Sequence, residues 1–296
     1  MPSAEFEGLV KALRENPVIQ GTDLLEMRAN MAAAVANLPL PEGASFEPVD
    51  AGGVPSEWVV TPEARDDRVL IHYHGGAYTM GSLATHRGLA VNLSRTTRSR
   101  VLLVDYRLAP EHPHPAAVED AVAAYRFVLA SGIAPERVAL SGDSAGGGLA
   151  AATLVELGDL GEALPAAGVC ISPWLDLTCS GESYVERAEQ DVMVTRELLE
   201  MSTAAYCKGS DPKAPTASPL FADLSKLPPL LVQVGTAEVL LDDSLSFAAH
   251  AEAAGVDVTL EVAEDMVHVW HAFANVAPEG REAIERIAEF LEPRWS

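Results

Sequence analysis

Short apolar runs recur along the chain and alternate with longer segments whose apolar residues fall on one helical face. The runs at 45–49, 58–60, 69–73, 101–105, 137–141, 166–172, 230–234 and 256–262 read as strands, most of them apolar enough to be covered on both sides. Helical patterns lie between them at 87–98, 116–130, 147–155, 196–206, 244–254 and 278–291. Gly255 stops one helix, and Pro278 opens another at a position where its missing N–H costs little. Strands alternating with helices imply a largely parallel sheet with helices on both faces.

Two stretches break this rhythm. Residues 1–45 carry two amphipathic patterns before the sheet begins. Phe6, Leu9, Val10 and Leu13 form one, and Leu24, Leu25, Met27, Met31, Val35 and Leu38 the other, closed by Pro39 and Pro41. They suit a dimerisation arm or a lid. Residues 177–220 are polar, then helical, then loop-like, and read as an insertion folding over the sheet top against the N-terminal helices.

Bulk composition narrows the function. The 296 residues suffice for one large α/β domain with insertions. The formal charge of -23 disfavours nucleic acid and anionic membrane surfaces, which reward Lys and Arg. No apolar run is long enough to span a bilayer, and stable membrane association is not expected. The first residues lack a basic region followed by an apolar core, so a cytoplasmic location is the expectation. Cys170, Cys179 and Cys207 are too few and scattered for a disulfide framework or zinc site. His72 and His74 alternate along a strand end without carboxylates at matching spacing, so no metal is expected there.

The candidate chemistry centres on Gly142-Asp143-Ser144-Ala145-Gly146, between an apolar strand and a helix with a small-residue face. A G-x-S-x-G segment in that context is a nucleophile elbow; the alternative is a Ser/Gly turn without chemistry. A serine hydroxyl needs a base, a group that orients the base, and donors for the oxyanion. His74-Gly75-Gly76-Ala77 ends a strand, so the amides of Gly75, Gly76 and Ala145 are candidate oxyanion donors. The order Ser, acid, His removes the five histidines before Ser144. His268, just after the last strand, is the preferred base; His271 is weaker and His250 falls inside a helix. Glu238 follows a strand end and is the preferred acid over Asp242, while Asp242 and Asp243 suit helix N-caps.

Five segments together resemble the hormone-sensitive-lipase-like branch of the α/β-hydrolases, the bacterial family IV carboxylesterases. They are His74-Gly75-Gly76-Ala77, Asp105-Tyr106-Arg107-Leu108-Ala109-Pro110-Glu111, Gly142 to Gly147, Ser172-Pro173-Trp174-Leu175-Asp176 and His268-Val269-Trp270. Ala77 departs from the family's usual third glycine, and Glu238-Val239-Leu240 stands where Asp-Pro-Leu is common. The resemblance implies an α/β-hydrolase fold: a mostly parallel eight-stranded sheet flanked by helices. A catalytic domain over 46–296 would carry a helical cap built from residues 1–45 and the 177–220 insertion. It implies a cofactor-free serine carboxylesterase acting on short-chain acyl esters, with a homodimer through strand 256–262 as an exposed edge. Asp105, Arg107 and Glu111 would form an ion-pair network bracing loops beside the oxyanion strand. An amidase or deacetylase on the same scaffold is the alternative. A small-ligand receptor is less favoured, because receptors of this branch have lost the histidine that His268 supplies here.

Overall fold

The computed structural model describes residues 1–36 and 42–295. Leu38, expected as the last apolar position of the second helix, and Pro39 and Pro41, expected to close it, lie outside the described residues. In chain order the elements are α1 (Ala4–Glu15), α2 (Leu24–Val35), β1 (Ser45–Asp50), β2 (Pro55–Val60), β3 (Arg65–Tyr73), α3 (Leu83–Thr97) and β4 (Ser99–Val104). Then follow α4 (Ala116–Ala130), β5 (Val138–Asp143), α5 (Ala145–Leu160), β6 (Ala167–Ile171), α6 (Ser183–Glu186) and α7 (Arg196–Tyr206). The chain finishes with β7 (Leu230–Gly235), α8 (Leu241–Ala253), β8 (Val258–Ala263) and α9 (Pro278–Leu291).

The eight strands form one sheet in the order β1-β2-β4-β3-β5-β6-β7-β8. β1 and β2 pair antiparallel, as do β2 and β4; every other pairing is parallel. The pattern implied a largely parallel sheet and the family resemblance an eight-stranded α/β-hydrolase sheet, and both are found. Its inner strands alternate their side chains between two cores, as a period of two requires. Ile71, Leu102, Leu140 and Val232 join the core that contains α4, α5 and α8 residues. Leu70, Leu103, Ala139 and Leu231 join the core with α3 and α9.

Three local readings need correction. α3 begins at Leu83, four positions before the expected 87, because Ser82 and Thr85 form a capping box. The box was missed because threonine stands where Glu or Gln usually signals it. Asp242 and Asp243 do not cap α8. Asp242 accepts the Ser183 amide, and buried Asp243 accepts the amides of Leu175 and Asp176, so both carboxylates tie down the chain after β6. Asp105, Arg107 and Glu111 do not form one network. Arg107 pairs with Asp120 and Glu119 of α4, and Glu111 pairs with Arg28 of α2.

A third, smaller core positions the chain end of β8. Phe6 and Leu13 of α1 are buried there with Met266, Val267 and Trp270, which surround His268 in sequence. The Ser3 side chain caps α1 and its amide donates to Glu279 of α9, fixing the helix against the body. Phe6→Ala empties this cluster, and the expected cost is about 3 kcal/mol of unfolding free energy by urea denaturation.

Candidate active site

Register sets the site. β3 and β5 run side by side in parallel, with Tyr73 opposite Gly142, so the chain leaves both strands at the same edge of the sheet. Residues following β3, β5, β6, β7 and β8 therefore gather at the carboxyl ends of the parallel strands.

Ser144 sits between β5 and α5 with φ 57° and ψ -123°, a conformation costly for a side-chain-bearing residue. The surroundings impose it. Its N–H donates to the Ile171 carbonyl at 2.9 Å, and its carbonyl accepts from Gly148 and Trp174 at 3.1 and 3.0 Å. The turn also needs its glycines: a Cβ on Gly142 would strike the Gly146 carbonyl, and one on Gly146 would strike that of Tyr73. With Ala145 as the first helical residue, its N–H has no intrahelical acceptor.

His268 and Glu238 meet from different strand ends. His268 Nδ1 lies 2.8 Å from Glu238 Oε2. Glu238 is fully buried, and its Oε1 accepts from the Ser172 hydroxyl at 2.8 Å and the Gly235 amide at 2.6 Å. The Ser172 oxygen also accepts the Val269 N–H at 3.1 Å, tying down the residue after the histidine. Burial raises the Glu238 carboxyl above its ordinary 4.5, against the pull of His268 and the Gly235 amide. For His268, burial works against the charged ring. The hydrogen bond and charge of Glu238 outweigh it and lift the imidazole above its ordinary 6.5. Asp242 makes its contact with Ser183 instead, and His271 is buried against Gln233 at 2.8 Å.

Ser144, His268, Gly75 and Gly76 line one cavity of about 250 Å³. Most of its remaining wall is apolar, from Ile19 and Met31 near the N-terminus to Met193 and Leu198 in the 177–220 segment. Among the described residues no hydrogen bond joins the Ser144 hydroxyl to His268; both face this cavity.

The two glycine amides differ. Gly75 N–H donates to His86 Nε2 at 3.2 Å, while those of Gly76 and Ala145 have no acceptor among the described residues. Gly76 has φ 121°, and a Cβ there would strike the Met80 carbonyl. Ala77 and Tyr78 follow with φ 53° and 60°, so this loop is held in an unfavourable shape by its contacts. Tyr78 stacks on Tyr206 of α7 with centroids 4.0 Å apart, and Arg28 Nε donates to the Thr79 carbonyl at 2.6 Å.

The chain has counterparts among known proteins. The family model for the alpha/beta hydrolase fold matches residues 70–272. An acetyl-hydrolase of Streptomyces hygroscopicus is 48% identical over 258 residues, covering 87% of this chain and 85% of that protein. An esterase of Acinetobacter venetianus is 39% identical over 83% of this chain and 81% of its own length. The crystal structure of an esterase from the bacterial hormone-sensitive lipase family superposes with a TM-score of 0.95 at 48% identity, covering 100% of both chains. The chain belongs to the hormone-sensitive-lipase-like esterases. It is a carboxylic ester hydrolase of the α/β-hydrolase fold.

Several residues of this esterase's site escaped the sequence reading. Ser172 was noted only as part of a motif, yet its hydroxyl bridges Glu238 and the Val269 amide. Asp191, in the 177–220 segment, accepts the Val239 amide at 2.9 Å and thereby braces the residue beside Glu238. His86 and His72 both reach the buried Asp143, at 3.3 and 3.1 Å. Burial opposes charge on Asp143, but the two histidines outweigh it and hold the carboxyl well below 3.8. His74 has its Nδ1 2.8 Å from the Gly75 carbonyl, and burial depresses its ring to about 3, so it is neutral.

If Glu238 is what raises His268, removing its charge leaves burial opposed only by the charges of Asp191 and Asp143. Glu238→Gln is therefore expected to lower the His268 titration, read by NMR of the ring nitrogens. An unshifted titration would show that another group sets it.

Proposed function

We propose that this esterase hydrolyses short-chain acyl esters through an acyl-enzyme formed on Ser144, with His268 as base and Glu238 as the orienting acid. The single observation that carries the reading is the buried His268–Glu238 hydrogen bond at 2.8 Å, opening onto the same cavity as the strained Ser144.

In this mechanism the ester carbonyl carbon lies over Ser144 Oγ. His268 Nε2 takes the hydroxyl proton as the oxygen attacks, and the imidazolium is stabilised by Glu238. The Nδ1–H···Glu238 bond leaves Nε2 as the basic nitrogen. His268 then passes the proton to the leaving alcohol. Water, deprotonated by the same histidine, attacks the acyl-enzyme and releases the acid. The oxyanion accepts from Gly76 and Ala145, whose amides have no acceptor among the described residues. Gly75 joins them when His86 Nε2 donates to Asp143 and leaves its amide free; when that nitrogen accepts the amide instead, Gly75 anchors the loop. One such donor contributes about 3–4 kcal/mol to the barrier reduction.

Short chains are favoured by size and by kinship. The cavity of about 250 Å³ lies below the roughly 300–1,000 Å³ of sites for drug-sized ligands. The Streptomyces relative carries the name acetyl-hydrolase. α1, α2 and the 177–220 segment act here as the cap that closes the apolar wall. A homodimer through β8 belongs to the same reading, since β8 ends the sheet with Val262 exposed.

Two measurements test this. Ser144→Ala is expected to lower p-nitrophenyl acetate turnover by roughly 10⁴-fold or more while circular dichroism stays unchanged; retained turnover would overturn the mechanism. Light scattering at micromolar concentration is expected to give twice the 31.3 kDa chain mass, and a monomer would remove β8 as an interface.

A further inference from the structure

A glycine in the interior of a helix is among the least favourable choices, and it persists where a side chain would do harm. α3 carries one at Gly88, well inside Leu83–Thr97. Most other helical glycines have a steric reason. A Cβ on Gly146, Gly148 or Gly280 would run into backbone atoms of Tyr73, Trp174 or Trp270. Gly88 has none: a Cβ built there meets nothing within 4 Å, and its φ lies outside the left-handed range. Gly8 of α1 is equally free, but it is exposed to solvent. Gly88 instead lines the cavity that holds Ser144 and His268.

Its neighbours define that wall. Thr85, one turn earlier, and Leu89, the next residue, line the cavity with it, as do Ala272 and Phe273. The open volume beside Gly88 is thus bounded by apolar side chains, and a side chain at 88 would project into it. No hydrogen-bonding group at 88 contributes to the chemistry, so the harm a side chain would do is to occupy space that substrate needs.

We infer that Gly88 is a specificity-determining position: its missing side chain keeps open the part of the cavity that receives the apolar arm of the ester. This rests on the serine-esterase reading above. The arm is aliphatic in chemistry, and it belongs to either the acyl or the alcohol half of the substrate.

The test compares wild type, G88A and G88L on two series. One varies the acyl chain of p-nitrophenyl esters from acetate upward; the other varies the alcohol of alkyl acetates. G88A should raise Tm by about 1–3 °C, because alanine favours the helix and the site can hold its methyl. G88L should lower kcat/KM for the longest ester the wild type turns over by about 10-fold or more relative to the shortest, since single methylenes in such pockets weigh that much. G88A should show the same trend more weakly, which keeps the test valid if the leucine variant folds poorly. Loss confined to the acyl series places the acyl chain beside Gly88; loss confined to the alcohol series places the alcohol there. Profiles that superimpose on wild type in both series overturn the inference, provided Ser144→Ala is inactive. Activity surviving in Ser144→Ala would overturn the underlying mechanism instead.

Discussion

A carboxylate stripped of water must collect its hydrogen bonds from the protein, and Glu238 collects three. The donors come from Ser172 after β6, Gly235 at the end of β7, and His268 after β8. An unpaired charge at this depth would cost several kcal/mol, so the three strand ends are held together by the need to satisfy one group. Ser172 extends the lock by accepting the Val269 amide with the same oxygen that donates to Glu238. The histidine's position and its raised basicity thus have one cause, a buried acid that is fully paired.

The other half of the site depends on close backbone approach. The turn after β5 passes so near β3 that Gly146 admits no side chain against the Tyr73 carbonyl. That closeness carries Ser144 into its strained conformation and brings the amide of Ala145 toward the loop after β3. Beneath it, Asp143 turns inward to His72, and His86 Nε2 lies 3.3 Å from the Asp143 carboxylate and 3.2 Å from the Gly75 nitrogen. Protonated, that nitrogen donates to Asp143; unprotonated, it accepts the Gly75 amide, so one imidazole sits between the residue before Ser144 and the loop after β3.

The centre of this molecule could be read from its sequence because local rules decide it. Buried strands such as 69–73 and 101–105 are nearly all apolar, and the loops after them are marked by Gly75-Gly76 in the first case and by Pro110, Pro113 and Pro115 in the second. The serine, the histidine and the acid lie just beyond strand ends, where chain order alone narrows the choice. What could not be read depends on distant partners. Arg28 meets Glu111 across 83 positions, and Asp242 meets Ser183 across 59, so neither pairing leaves a local signal. The carboxylates of Asp242 and Asp243 look like helix caps by position; burial and the amides of the chain after β6 redirect them. Ser172, Asp191 and His86 are ordinary polar residues until the fold sets them beside Glu238, Val239 and Gly75.

The segments least readable in sequence are the ones that shape the apolar wall, and this follows from physics. A sheet strand is selected for a repeating environment, so its pattern repeats. The N-terminal helices and the 177–220 stretch face a cavity on one side and the body on the other. Their apolar residues answer to the cavity as well as to packing. Yet they are not independent of the site: Asp191 braces the neighbour of Glu238, Tyr206 stacks on Tyr78 in the loop after β3, and Phe6 packs beside the loop that carries His268. A change there that alters the pocket also presses on the groups that carry the reaction. α3 reaches the site as well, through His86 at Asp143 and Gly75, but Gly88 lies on the same cavity wall without a side chain to make such a contact. A change at Gly88 therefore bears on the open space more directly than on those groups.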